Sequence, residues 1–289
     1  MRIQHNITAI NSYRNLTNNN SAVGKNLEKL SSGYRINRAG DDAAGLAISE
    51  KMRAQITGLE TAQKNSQDAV SLIQTAEGSL TEVHSMLNRM VELATQSANG
   101  TYDDTTDRAA MDAEVTALKD EINRIAESTN FNGKKLLDGT LTTDPLTLQV
   151  GDTAESFNQI TVEVGDMQTT ALGVYADGGT APESGKDLAS VSIADQGDAA
   201  DAIEVIKASI NQVSTQRAGL GALQNRMEHT INNLSVNAEN MTAAESRIRD
   251  VDMAKEMMAY TKNNILIQSS QAMLSQANSL PQGVLQLLQ

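Results

Sequence analysis

Large apolar side chains near the start of the chain fall at Ile3, Ile7, Ile10, Tyr13, Leu16, Val23, Leu27 and Leu30, in steps of three, four or seven. A repeat near 3.5 with polar residues between predicts one amphipathic helix with a narrow apolar seam. The pattern restarts at Met52, Ile56 and Leu59, resumes at Val70, Ile73 and Leu80, and runs through Val83, Leu87, Val91 and Ala94 to "SANGT". A helix over 44–98 would be roughly 80 Å long at 1.5 Å per residue. Met111, Val115, Leu118, Ile122 and Ile125 predict a third helix in steps of four, three, four and three. From Phe131 the period drops to two. Leu146, Leu148 and Val150 alternate with polar residues, as do Ile160, Val162 and Val164, and the Asn132-Gly133 and Asp138-Gly139 pairs are turn signals, so a small antiparallel sheet is predicted.

Residues 168–197 are rich in Gly, Ser, Thr, Ala and Asp and carry no sustained period, which predicts a loop or exposed excursion. Helical spacing returns in Ile203, Ile206, Ile210, Val213, Leu220, Met227, Ile231 and Leu234, with Arg217 and Gln224 at intervening seam positions, partly exposed or paired. The last helix sets Leu266, Met273, Leu280 and Leu287 at strict heptads, with Ser270, Ala277 and Val284 as the alternate positions; Pro281 should kink it or start a new turn. The expected fold is mainly α. Long antiparallel, coiled-coil-like helices from both termini flank a small β-hairpin region in an out-and-back topology.

Composition narrows the core. With no Trp, two Phe and five Tyr, aliphatic and Met side chains must supply the packing, as between long helices with thin seams. A formal charge of −13 repels phosphates and argues against nucleic acid and anionic membrane surfaces as partners. The absence of cysteine excludes disulfides and thiolate metal sites. The N-terminal sequence "MRIQHNITAINSYRNL" has no apolar signal region, and no segment approaches eighteen uninterrupted apolar residues, so neither signal-peptide export nor membrane spanning is expected.

Candidate chemistry is thin. His5, His84 and His229 stand far apart in sequence without metal-ligand spacing, so helix-face or surface roles are expected. "GLGALQ" from Gly219 lacks the third glycine of a dinucleotide fingerprint and follows a helical run rather than a strand. "YDDTTD" from Tyr102 lacks the glycine and bidentate glutamate of a calcium loop, and helix capping by its aspartates accounts for it better. "SSGYRINRAGDDAAGLAISEKM", Ser31 to Met52, places glycines and arginines before a helix start, but Asp41 and Asp42 occupy the position an anion would need. It reads as a structural joint. Gly33 and Gly40 should let the chain leave and re-enter helix, Asp41 and Asp42 start the next helix, and Arg35 and Arg38 pair with those aspartates or with a neighbouring chain.

Four blocks carry a resemblance: "NLEKLSSGYRINRAGDDAAGLAISEKMRAQITGL", "KNSQDAVSLIQTAEGSLTEVHSMLNRMVELATQSANGT", "FNGKKLLDG" and "ESRIRDVDMAKEMMAYTKNNILIQSSQAMLSQANSLPQGVLQLL". Together the sequence over 1–166 and 198–289 resembles bacterial flagellin, with wording similar to that of Gram-positive members. The resemblance implies a non-enzymatic subunit without cofactor that polymerises into the flagellar filament. Its implied domains are an inner-tube coiled coil and linker (1–43 with 240–289), an outer-tube core (44–167 with 198–239) and a short variable surface excursion (168–197). The inner-tube seam would comprise Ile3, Ile7, Ile10, Val23, Leu27, Leu30, Leu266, Met273, Leu280, Val284 and Leu287, ordering only on assembly.

Partners implied by the resemblance are further copies of the chain, the flagellar cap and hook-filament junction proteins, and a cytosolic export chaperone on the C-terminal helix. Export would follow the flagellar type III route to an extracellular flagellum. Recognition by the vertebrate Toll-like receptor for flagellin would use Arg89, Glu92, Leu93, Gln96 and Glu114. Asn88, Met90, Val91 and Thr95 depart from the pattern of recognised members, which removes one basic contact. A hook-filament junction protein or a non-flagellar coiled-coil scaffold are the alternatives.

Overall fold

The structure, a computed structural model, describes residues 6–173 and 187–287, with residue 104 and residues 280–287 described by backbone alone. Asn6 starts the first helix by accepting the Ala9 N–H on its Oδ1 at 3.1 Å. Helix α1 (Ile7–Ser32) ends at Gly33, whose φ of 76° is the left-handed cap that a side chain would strain, and whose N–H returns to Lys29 O. After the joint come α2 (Ala43–Ser97), α3 (Ala109–Ser128), strands β1 (Asn130–Phe131) and β2 (Lys134–Lys135), the single turn α4 (Thr140–Thr143), and strands β3 (Leu146–Gln149) and β4 (Gln159–Val162). Two long helices close the chain, α5 (Gln196–Arg249) and α6 (Met253–Leu287), the latter continuing through Pro281.

The predicted sheet forms as two antiparallel pairs. Asn132 at φ 50° and Gly133 at φ 80° supply the two left-handed residues that a tight β1–β2 hairpin needs. Leu146 pairs with Val162 and Leu148 with Ile160 in the second, which keeps the alternating apolar residues in one phase. Asp138-Gly139 does not make a hairpin. Gly139, also left-handed at φ 80°, instead precedes α4, where Asp138 Oδ1 accepts Thr140 Oγ1 at 2.6 Å.

Two compact units partition the chain: residues up to Thr57 with those from Ala238 onward, and Gly58–Asn237. In the second unit one hydrophobic cluster takes Ile73, Leu80, Val83, Leu87 and Met90 from α2, Val115 and Ile122 from α3, and Ile206, Val213, Leu220 and Met227 from α5. These follow the helical spacing read from the sequence, and each large side chain removed from water contributes about 1.5–3 kcal/mol before ordering entropy. Arg217 meets Glu77 at 3.5 Å, so this seam cation is paired.

The stretch expected to be an exposed excursion is corrected in part. Leu172, Leu188, Val191 and Ile193 are buried in the same cluster, while 174–186 lie outside the described residues. An aperiodic segment can be buried only if its backbone finds partners, and side chains of the neighbouring helices provide them. Asp112 Oδ1 accepts Ile193 N at 2.9 Å, Asn123 Oδ1 accepts Thr169 N at 2.9 Å, and Ser97 Oγ donates to Ile193 O at 2.6 Å. Lys119 Nζ donates to Ala189 O at 3.2 Å and to Val191 O, and burial lowers its pKa.

Buried Arg108 secures the end of α2, with Nε donating to Ser97 O at 2.9 Å and Nη2 to Asn99 O at 3.0 Å. "YDDTTD" becomes a turn of π-helix, Asp104–Arg108, leading into α3. Asp103 precedes it and accepts the hydroxyls of Thr105 and Thr106 at 2.6 and 2.7 Å. Asp107 Oδ2 accepts the Asp103 N–H at 3.3 Å, and the Thr105 and Thr106 hydroxyls hold the Asp103 carboxyl below the usual carboxylate range.

Leu87→Ala, at a fully buried position of α2, is expected to cost about 2–5 kcal/mol. Leu27→Ala, at an exposed one, should change stability by less than about 0.5 kcal/mol. Urea unfolding of the unpolymerised chain followed by circular dichroism measures both.

Candidate functional site

Helices α1 and α6 pair antiparallel within the first unit, and the pairing is not the one the largest apolar residues predict. The less exposed positions of α1 include Ala9, Ser12, Leu16, Asn19, Val23, Asn26 and Leu30. Those of α6 include Glu256, Tyr260, Asn263, Ile267, Ser270, Leu274 and Ala277. Steps of three and four run through both sets, so each is one helix face. Small residues let the two backbones approach, and polar ones cross-link them. Asn6 Nδ2 donates to Ala277 O at 2.7 Å and Asn19 Nδ2 to Ser270 Oγ at 3.3 Å. Asn26 is buried; in the amide orientation that satisfies its surroundings, Nδ2 donates to Glu256 Oε1 at 3.1 Å and Oδ1 accepts from Asn263 Nδ2 at 3.1 Å.

The predicted seam set therefore divides. Val23 and Leu30 lie on the α1–α6 seam, half-buried. Ile7, Ile10, Leu27, Leu266 and Met273 are exposed, with Ile10 at 58% and Met273 at 60%, so in the single chain they lie off the α1–α6 seam. They sit at other angles of the helices, because Asn and Ser/Ala positions one heptad apart take the line of closest approach. Ile3 lies outside the described residues, and for Leu280, Val284 and Leu287 only the helical backbone is described. Met253, Met257, Met258 and Ile265 extend the exposed apolar surface of α6, and Tyr13 that of α1. No ligand-sized chemistry accompanies it: among the described residues no cluster of His, Cys, Asp or Glu could hold a metal ion.

The joint is held by hydrogen bonds different from those expected. Asp42 Oδ1 accepts Gly45 N at 2.9 Å and so starts α2. A side chain at Gly45 would meet Asp42 Oδ2 at 2.5 Å and Ile36 Cδ1 at 2.8 Å, so the capping carboxylate requires glycine there. Asp41 does not cap the helix. Its Oδ2 accepts Arg38 N at 3.1 Å and Asn37 N at 3.2 Å, closing the loop, and these amides hold its carboxyl below the usual carboxylate range.

Neither arginine pairs with the aspartates, a second correction. Arg35 Nη2 donates to Ile248 O at 2.5 Å and Arg247 O at 3.3 Å, and its N–H to Arg249 O at 2.6 Å, so it covers the carbonyl end of α5, where the helix dipole is negative. Arg38 Nε pairs with Glu28 at 2.8 Å. Gly40 is not among the positive-φ glycines; Gly33 alone of the two supplies the left-handed exit. Val251 N donates to Gly33 O, and Tyr34 bridges to Asp250, so the joint after α1 and the break between α5 and α6 form one structure. Arg249 lies over the Tyr34 ring at 4.7 Å and pairs with Glu50 at 2.7 Å.

In the second unit Arg89 Nε pairs with Glu114 at 2.9 Å and Nη1 with Glu92 at 3.0 Å, and these carboxylates raise the guanidinium pKa further, Glu114 first. Gln96 Nε2 donates to Tyr102 Oη at 3.0 Å. These side chains are exposed and lie close together. Leu93 does not join them: at 3% exposure it belongs to the core with Met90 and Ala94, which corrects its assignment as a receptor contact.

Sequence reasoning missed the polar α1–α6 seam, Arg108, and the Tyr34–Arg249–Glu50 group. A signal for the first was present. Asn19 and Asn26 stand one heptad apart, as do Asn263, Ser270 and Ala277.

Long helices, a core confined to one unit and an exposed apolar surface on the paired terminal helices define a structural protein made to associate with other chains. Family comparison gives the particular case. Residues 3–142 match the bacterial flagellin N-terminal helical region and 203–288 the C-terminal helical region. The chain is 59% identical over 305 residues to flagellin of Bacillus subtilis strain 168, and 47% identical over 296 residues to a flagellar filament 33 kDa core protein of Treponema phagedenis, each match covering 100% of both chains. Crystalline Bacillus cereus flagellin is 34% identical, covering 63% of this chain and 94% of that one at a TM-score of 0.47. The chain belongs to the bacterial flagellin family.

Asp41 binds protons more weakly folded than unfolded, so its contribution is complete above the unfolded carboxylate pKa of about 3.9 and is lost as pH falls through the lower folded value. Acid titration of helicity should show this loss, and Asp41→Asn should flatten part of the slope below about pH 4.

Proposed function

We propose that the chain builds the bacterial flagellar filament by covering the exposed apolar side chains of α1 and α6 with the same helices of neighbouring copies. The chain is a filament subunit, a structural protein of the extracellular flagellum, as its family membership states. The single observation behind the packing is the exposure of Ile7, Ile10, Leu27, Ile265, Leu266 and Met273 beside a half-buried seam that polar side chains cross-link. A water-exposed apolar surface of this kind is an association site, and a repeated head-to-tail contact that does not close yields an open helical array. The terminal pair, short of large buried side chains of its own, would gain most of its order as neighbours cover it. Among the described residues no helix is long and apolar enough to cross a membrane.

Carriage through the flagellar type III channel, with a chaperone on α6, fits terminal helices that depend on partners for stability. Insertion under the cap, above the hook-filament junction, completes the proposed route. A second reading has its own support: Arg89, Glu92 and Glu114 form one exposed ion-paired patch, with Gln96 nearby, and this patch suits recognition of the unpolymerised chain by the vertebrate Toll-like receptor for flagellin.

Ile10→Asp combined with Leu266→Asp should leave the second unit folded and abolish seeded polymerisation, with no rise in helicity where the unaltered chain shows one. Sedimentation and circular dichroism report both, and normal filaments from the double variant would defeat the proposal. For the receptor patch, Arg89→Ala should cost at least about 1 kcal/mol of binding. Leu93→Ala should instead lower the melting temperature, which a pull-down and a thermal melt distinguish.

A further inference from the structure

We infer that the four exposed methionines of α6 are an oxidation site that controls self-association, an inference that rests on the filament packing proposed above. The sequence holds twelve methionines. Met90, Met111, Met167 and Met227 are buried in the second unit's cluster, and Met52, Met86 and Met241 are half-buried. Met253, Met257, Met258 and Met273 are between 49% and 67% exposed, and all four belong to one helix. They lie off the seam with α1, interleaved with the other exposed apolar residues: Met258 stands one heptad before Ile265, and Met273 one heptad after Leu266. Unbranched, polarizable thioethers at these positions suit a surface that must adapt to several neighbouring copies.

Exposure that allows association also admits oxidant. The chain has no cysteine, so no thiol competes, and thioether sulfur becomes the principal target for two-electron oxidation by a peroxide. With hydrogen peroxide the O–O bond breaks, one oxygen atom is transferred to sulfur and the other leaves as water, so sulfur is oxidised and peroxide reduced. The product sulfoxide is polar and chiral. Buried against a neighbour's aliphatic side chains, such as Ile7, Ile10 or Leu266, its oxygen would meet side chains that carry no hydrogen-bond donor. Oxidised free subunits are thereby excluded from the filament, while subunits already assembled keep these sulfurs covered. Methionine sulfoxide reductases, one for each sulfoxide epimer, return the surface to its associating form.

The test uses the full chain as free subunits and as filaments, each treated with hydrogen peroxide and mapped by peptide mass spectrometry before seeded polymerisation. In free subunits sulfoxide should accumulate at the four α6 positions about tenfold faster than at Met90, Met111, Met167 and Met227, and in filaments this difference should largely vanish. The polymerised fraction should fall about tenfold as those four positions are converted, and recover after both reductases act. A chain carrying Met253→Leu, Met257→Leu, Met258→Leu and Met273→Leu should polymerise equally with and without peroxide. Undiminished polymerisation of fully converted subunits would overturn this inference alone, as would failure of the reductases to restore it in the unaltered sequence. Failure of the untreated natural sequence to polymerise would overturn the filament packing as well.

Discussion

The organisation of this chain depends on what its terminal helices use to hold each other. Asn6, Asn19 and Asn26 on one helix face Ala277, Ser270, Asn263 and Glu256 around the other, so the line of closest approach is small and hydrogen-bonded. Each such bond contributes only about 0.5–1.5 kcal/mol net, but leaving any of these groups unpaired in the seam costs more. Polar seam residues thus fix register better than they add stability, the role attributed to single buried asparagines in coiled coils. They also leave Ile7, Ile10, Leu266 and Met273 outside the seam, where Leu16, Leu30, Ile267 and Leu274 are only half-buried.

The second unit follows the opposite rule. Its aliphatic residues are turned inward on three long helices, and the irregular segments that fill the remaining space are buried with them. That burial depends on side chains standing in for a ladder. Asp112, Asn123, Lys119 and Ser97 each bond a backbone group of residues 169–193, so a loop-like sequence is treated as core. The helix ends receive the same treatment: Arg108 covers the carbonyls at the end of α2, and Arg35 those at the end of α5. Cations placed on terminal carbonyls serve both as hydrogen-bond donors and as counter-charges to the helix dipole.

This division explains what could be read in the sequence. Where burial is decided by the oil-like residues, as at Ile73, Leu80, Leu87, Ile122 and Met227, period alone located the helices and their inward faces. The strand alternation at Leu146–Gln149 and Gln159–Val162 was legible for the same reason. Where burial is decided by hydrogen bonds, period misled. It set Leu266 and Met273 on the seam with Ser270 and Ala277 as alternate positions, where the structure puts only the latter two, and it read Val191 and Ile193 as exposed because their neighbours are Ser and Ala. Leu93 illustrates a third limit, since a resemblance transfers residue types to positions but not the accessibility of each side chain. The capping of α2 was legible in part. Asp42 takes the cap and Asp41 closes the preceding loop, a distinction set by Gly45 and by the amides of residues 37 and 38.

A structural subunit needs two properties that conflict within one helix: it must remain apart from its copies until it reaches the growing end, and it must bind them tightly there. Separating the two interactions by angle around the helix resolves the conflict. The polar face pairs α1 with α6 in one register and at modest stability. The apolar face is presented in that register, so the pairing sets the spacing of Ile7, Ile10, Leu266 and Met273 relative to one another. A net charge of −13 opposes unguided contact between free subunits, and this repulsion is screened by salt, while burial of apolar surface is not. Under the proposed packing, association is favoured where several apolar contacts form at once, a condition that the end of an existing helical array meets better than two free chains do.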